Sequence, residues 1–153
     1  MDWLEIILRI GVATFAGAVI GFERELRHKA AGLRTHMLVA LGAAAIMIVG
    51  LQMDENASRV VQGVVTGIGF IGAGAILHSQ GRTEGVTTAA SIWACTMMGM
   101  AAGSGYFKVT VVTLAFALFI LAGCLVIERV LQAKRPPKST VISARQKRYG
   151  NGH

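Results

Sequence analysis

Residues 21–36, GFERELRHKAAGLRTH, place two acids, four Lys/Arg and two histidines between stretches that are otherwise apolar. Glu23, Arg24, Glu25, Lys29, Arg34, Thr35 and His36 in this stretch, with His78, Thr87 and Thr88 further along, are the side chains most able to do chemistry. The chemistry open to them is recognition. Cations outnumber acids, which suits a carboxylate-supported basic pocket for a phosphate, a lipid headgroup or an acidic partner segment better than a metal cage. Nucleophilic catalysis needs a base beside its nucleophile, and neither His36 nor His78 has a Cys or Asp near it in sequence. No His/Glu pattern of a zinc protease occurs either. The expectation is therefore a protein that is not an enzyme, with no catalytic residue, no metal and no cofactor.

A plainer account makes this stretch a helix that runs on past its apolar part. Glu23 with Arg27 and Glu25 with Lys29 are then i, i+4 pairs worth about 0.2–0.5 kcal/mol each. Gly32 ends that helix, and Thr35 caps the next. This account leaves unexplained why His78 and Thr87–Thr88 gather at the same level.

The elements that must position these residues are membrane spans. The 153 residues are 54% hydrophobic and 15% charged, and the mean hydropathy is +0.58, too apolar for an ordinary soluble domain. A span needs about 17–25 mostly apolar residues; five segments qualify, 3–22, 36–53, 59–78, 86–103 and 107–128, with 86–103 the least apolar. The fold expected is an all-α integral membrane protein. Residues 1–130 form its polytopic domain and 131–153 a basic, disordered tail. The start carries Asp2 and Glu5 and lacks the basic region and cleavage site of a signal peptide, so the first span is expected to stay in place. The net charge of +7 would suggest nucleic acid in a soluble protein. Here the cations flank spans, as orientation signals do, and no nucleic-acid partner is expected. With the N-terminus outside and the C-terminus inside, twelve of the 15 Lys/Arg fall on the inner side, together with the whole polar cluster.

Glycines are the other signal. Residues 67–72, GIGFIG, match a dinucleotide fingerprint letter for letter, but that motif needs a strand, a turn and an exposed helix N-terminus, whereas these lie inside an apolar span. Gly63, Gly67 and Gly74 share one helical stripe, and Gly69 and Gly72 open a second face. Ala13, Gly17 and Gly21 in the first span, with Ser91, Cys95, Gly99 and Gly103 in the fourth, make comparable small-residue runs. Such runs let helices approach backbone to backbone, and spans 1, 3 and 4 are expected to close on the polar cluster through them. The alternative is that the glycines break span 3 and free carbonyls for an ion. Glu5 and Arg9, spaced i, i+4 within the first span, are expected to neutralise each other.

Taken together, GFERELRHKAAGLRTHMLVALGAA (21–44), VVTGIGFIGAGAIL (64–77) and EGVTTAASIWACTMMGMAAGSGYF (84–107) resemble the MgtC/SapB family of bacterial inner-membrane proteins, in order through about residues 5–128. The resemblance implies a small, multi-pass, non-enzymatic protein linked to low Mg2+, stress and virulence, which modulates another membrane machine such as the ATP synthase or a transporter. Longer members carry a soluble ACT-like domain after the last span; this chain is expected to be a short form with a basic tail instead. Glu23 and Arg34 are expected to form the charged core of the site and Thr87 its hydrogen-bonding wall. The partners expected are membrane lipids, a membrane protein and a second copy of the chain. The alternatives are a transporter or channel for Mg2+ or another small ion, and a lipid-interacting scaffold.

Overall fold

The computed structural model describes residues 1–53, 57–77 and 85–133, with side chains over 1–53, 57–76 and 85–123. The elements are all helical: α1 (Trp3–Leu26), α2 (Leu33–Gln52), α3 (Ala57–Leu77), α4 (Val86–Gly103) and α5 (Phe107–Ala133). Each corresponds to one span expected from the sequence. α1 runs four residues beyond its apolar part, α2 begins three residues earlier, and α5 continues to 133, past the expected boundary at 130. Most of the tail, 134–153, lies outside the described residues. By contacts the chain divides into Met1–Leu118 and Phe119–His153, with α5 crossing the boundary.

Among the described residues, Trp3–Leu26, Leu33–Gln52 and Ala57–Ile76 are long and apolar enough to cross a membrane, and Phe107–Gly123 is a shorter apolar helix. Their outward faces are built for hydrocarbon: Trp3 is 82% exposed and Phe70 86%. This is an all-α membrane protein. α4, the least apolar of the expected spans, is the most enclosed helix among the described residues. Thr88, Ser91, Cys95, Thr96, Met98 and Gly99 are among its buried residues, so its polar atoms face protein rather than lipid.

The helix ends are set by local chemistry. α1 closes with a Schellman motif, in which Lys29 N–H donates to Arg24 O at 3.1 Å and His28 N–H to Glu25 O at 2.9 Å. The left-handed position that this motif requires is held by His28, φ +51°, where glycine is the usual occupant. α4 ends the same way, with Tyr106 N–H to Ala101 O at 2.8 Å and Gly105 N–H to Ala102 O at 2.9 Å, and Gly105 at φ +82°.

Helices α1, α2 and α4 touch one another pairwise, while among the described residues α3 touches α4 and α2 but not α1. Lipid removes the hydrophobic drive between helices, so close van der Waals packing must hold them together. α2 supplies the surface against which both neighbours press. A Cβ on Gly17 would lie 2.5 Å from His36 O and one on Gly21 2.7 Å from Leu33 Cα; on the α4 side, one on Gly99 would lie 2.3 Å from Ala40 O and one on Gly103 2.6 Å from Ala44 O. Ala13, Ala44 and Ala102, each 0% exposed, meet where the three helices converge.

The glycines of α3 behave differently. Cβ atoms added at Gly63, Gly67, Gly69 or Gly74 would meet nothing within 4 Å, and one at Gly72 only Ala89 Cβ at 3.8 Å. Span 3 is thus not drawn in by its glycines as expected. A stripe of small residues fixes which face is flat, and among the described residues no helix presses against the face of Gly63, Gly67 and Gly74. Nor do the glycines break the span: α3 is continuous from Ala57 to Leu77.

Candidate functional site

The buried positions of α1, Ala13, Ala16, Gly17, Ile20, Gly21 and Arg24, form one stripe at helical spacing. The last of them is a cation. Arg24 is only 2% exposed, and a guanidinium so enclosed must be paired to be tolerated. Its Nε donates to Glu23 Oε2 at 2.5 Å. The other carboxylate oxygen of Glu23 is ion-paired with Arg27, one turn on. Glu23 therefore serves two arginines of its own helix.

His36 ends the corresponding stripe on α2 and is 0% exposed. Its Nδ1 lies 2.8 Å from Gly32 O, and because a carbonyl only accepts, Nδ1 carries a hydrogen. Its Nε2 lies 2.9 Å from Ser91 Oγ on α4. Ser91 Oγ also stands 2.8 Å from Thr88 O, to which it donates. Ser91 has one proton for two acceptors when the ring is neutral, so the α2–α4 tie is a hydrogen bond whose polarity follows the ring's protonation. Buried polar atoms of this kind are worth most when each has a partner, and both ring nitrogens of His36 stand within hydrogen-bond distance of one.

The turn between α1 and α2 is stitched by Glu25. Its Oε2 accepts from Leu33 N–H at 3.0 Å, satisfying one of the free donors at the start of α2. Gly32, the N-cap of α2, leaves room for it: a Cβ there would sit 1.7 Å from that oxygen. This replaces the expected Glu25–Lys29 pair. Gly32 opens α2 rather than ending α1, and Thr35 lies inside the helix rather than capping it.

The site thus differs from the expected one in membership. Arg34 is exposed and has no ion pair among the described residues, so it does not share a charged core with Glu23; Arg24 and Arg27 hold that place. Thr87 is exposed while Thr88 is buried, and the polar wall on α4 is made by Ser91 with the Thr88 carbonyl. Lys29 is exposed. His78 lies outside the described residues. Ser91 was visible in the sequence only as one member of a small-residue run. Among the described residues no group of three or more His, Cys, Asp or Glu gathers in a way that could hold a metal ion.

A second polar tie closes the other end of the bundle. Arg9 and Glu5 form the expected i, i+4 pair at 2.5 Å, and Arg9 Nη1 also donates to Gly103 O at 2.7 Å. That bond joins the start of α1 to the end of α4, and nothing in the spacing of Arg9 announced it. What the polar residues do chemically is fasten three helices at both ends, leaving Lys29, Arg34 and Thr87 as an exposed rim at one of them.

Residues 10–130 match the sequence profile described as the MgtC family. The chain is 42% identical over 127 residues to YhiD of Escherichia coli (strain K12), whose given name proposes a magnesium transporter; the match covers 76% of this chain and 59% of YhiD. It is 36% identical over 145 residues to Protein SrpB of Synechococcus elongatus, covering 84% of this chain and 80% of SrpB. With Protein MgtC of Brucella abortus (strain 2308) the identity is 38% over 112 residues, covering 72% of this chain and 47% of that protein. The chain thus spans between about half and four fifths of the length of these relatives. No solved structure matches it.

Proposed function

The chain belongs to the MgtC family, and on that footing we propose that it is a non-enzymatic, multi-pass protein of the bacterial inner membrane that regulates a membrane-protein partner during Mg2+ limitation or related stress. The Lys/Arg bias supports an orientation with the N-terminus outside, which puts the Glu23–Arg24–His36–Ser91 end in the cytoplasm. The observation that carries the reading is the division of labour at this end. Arg24 bonds Glu23, and His36 bonds Gly32 and Ser91, within the fold, while Lys29, in the turn after α1, and Thr87, in the first turn of α4, stand exposed beside them. A surface so fixed suits docking better than turnover.

The test is co-purification from gently solubilised, Mg2+-starved cells, comparing the parent with Lys29→Ala and Thr87→Ala. Both residues are exposed, so neither change removes packing. A membrane protein recovered with the parent and lost with either variant supports the reading; identical recoveries from all three overturn it.

The name given to YhiD favours a second reading, transport of Mg2+ by this chain. It requires a path of oxygen ligands for a cation that gives up its water reluctantly. The continuity of α3 and the paired state of Glu5 and Glu23 weigh against it. Equal Mg2+ flux into liposomes with and without the purified protein would remove it.

A further inference from the structure

Between α2 and α3 runs an apolar groove of about 610 Å3, with Leu38, Gly42 and Ile46 on one wall, Gly63 and Gly67 on the other, and Thr96 of α4 at the floor. That size is within the range of small-ligand sites, roughly 300–1,000 Å3. Towards the far end the helices meet, where a Cβ on Gly50 would lie 2.6 Å from Val60 Cγ2. Gly42, Gly63 and Gly67 each have nothing within 4 Å of where a Cβ would stand, so the walls are left bare by glycines on both sides. Thr96 spends its hydroxyl on Ile92 O at 3.0 Å, and the groove has no hydrogen bond to offer there.

One turn before Leu38 on the same helix stands Arg34, exposed and without an ion pair or hydrogen bond among the described residues. A cation at the end of an apolar trough calls for a ligand with an apolar body and an anionic head. From Val60 to Ile71 the α3 wall is about 16 Å long, close to half of the ~30 Å hydrocarbon thickness of a bilayer. We propose that the groove holds an acyl chain of an anionic phospholipid whose phosphate headgroup pairs with Arg34. A helix of a second copy fits less well. The small-residue faces of α1 and α4 are already spent against α2, and α3, whose glycine face is bare, carries no acid to meet Arg34.

The experiment uses the full chain, purified in detergent and stripped of lipid, then offered phosphatidylglycerol and phosphatidylcholine of identical acyl composition, with bound lipid counted by native mass spectrometry. The parent should prefer phosphatidylglycerol by about fivefold, the factor for one cation facing an anionic surface. Arg34→Gln should erase that preference while leaving chain binding. Gly67→Leu, and independently Gly63→Leu, should lower the binding of both lipids without lowering the melting temperature, because a Cβ at either position meets no atom within 4 Å. Equal binding of the two lipids by the parent overturns the proposal, as does a preference that survives Arg34→Gln. A parent dimer that Gly67→Leu dissociates would assign the groove to a second copy instead and overturn it equally.

Discussion

His36 shows how much one buried side chain settles. Sequence spacing placed it in the polar cluster but not inside the bundle, because a histidine at the start of an apolar run reads equally well as an interfacial anchor. What drives it inward is a partner 55 residues away, Ser91, on a helix whose own polar residues face protein. Removing one partner strands the other: Ser91→Ala leaves Nε2 without its bond, at a cost of about 1–3 kcal/mol. A double-mutant cycle with His36→Ala should return a coupling of about 0.6–1.7 kcal/mol, the span measured for hydrogen bonds between membrane helices. The readout is unfolding in detergent micelles, and strictly additive losses would deny the bond. His28 is a second residue-scale case. It holds a left-handed conformation, φ +51°, that costs an L-residue about 1–2 kcal/mol, so His28→Gly should raise stability by about 1 kcal/mol. A fall would mean that the exposed imidazole makes an attachment worth more than that strain.

At the scale of the helix, the five helices were legible because lipid imposes a simple rule of length and apolarity. The ends were less so. Glu25 reaching forward to Leu33 N–H is a cap supplied by the preceding helix, and no local pattern at 32–36 encodes it. Glu25→Ala should cost about 0.5–2 kcal/mol, as the loss of an N-cap does, with the change confined to amide exchange at the start of α2. The glycines were found correctly and assigned to helix contacts uniformly, whereas the structure sorts them. Gly99→Ala drives a methyl to within 2.3 Å of Ala40 O and should destabilise by about 1–3 kcal/mol, the range for overpacked sites. Gly67→Ala meets nothing and should be neutral or stabilising by up to about 1 kcal/mol. Comparable losses at both positions, by melting in the same detergent, would show that α3 is packed as tightly as α4.

At the scale of the molecule, the bundle is α1, α2 and α4 fastened at two ends, by His36–Ser91 at one and Arg9–Gly103 at the other. Ser91 and Gly103 are about 18 Å apart along α4, beyond the range at which substitutions couple. Arg9→Met and Ser91→Ala should therefore add within about 0.5 kcal/mol; a larger departure would make the helices one cooperative lever. The charge bias of the loops suggested which ends of the helices belong together. It could not reveal which helix is most enclosed, because α4 is buried through small and hydroxyl residues that read, in isolation, as a weak span.

The enclosure of α4 bears on how the protein is made. The ribosome delivers α2 with His36 long before it delivers Ser91; at roughly 5–20 residues per second the 55-residue interval lasts about 3–11 s. For Arg9 the wait for Gly103, 94 residues on, is about 5–19 s. During that time the α1–α2 hairpin holds a half-satisfied imidazole and an arginine supported by Glu5 alone, and α3 enters the bilayer before either is relieved. The fourth helix thus completes the polar ties of this bundle, and until residue 103 is in place both Arg9 and His36 lack the partners that α4 brings.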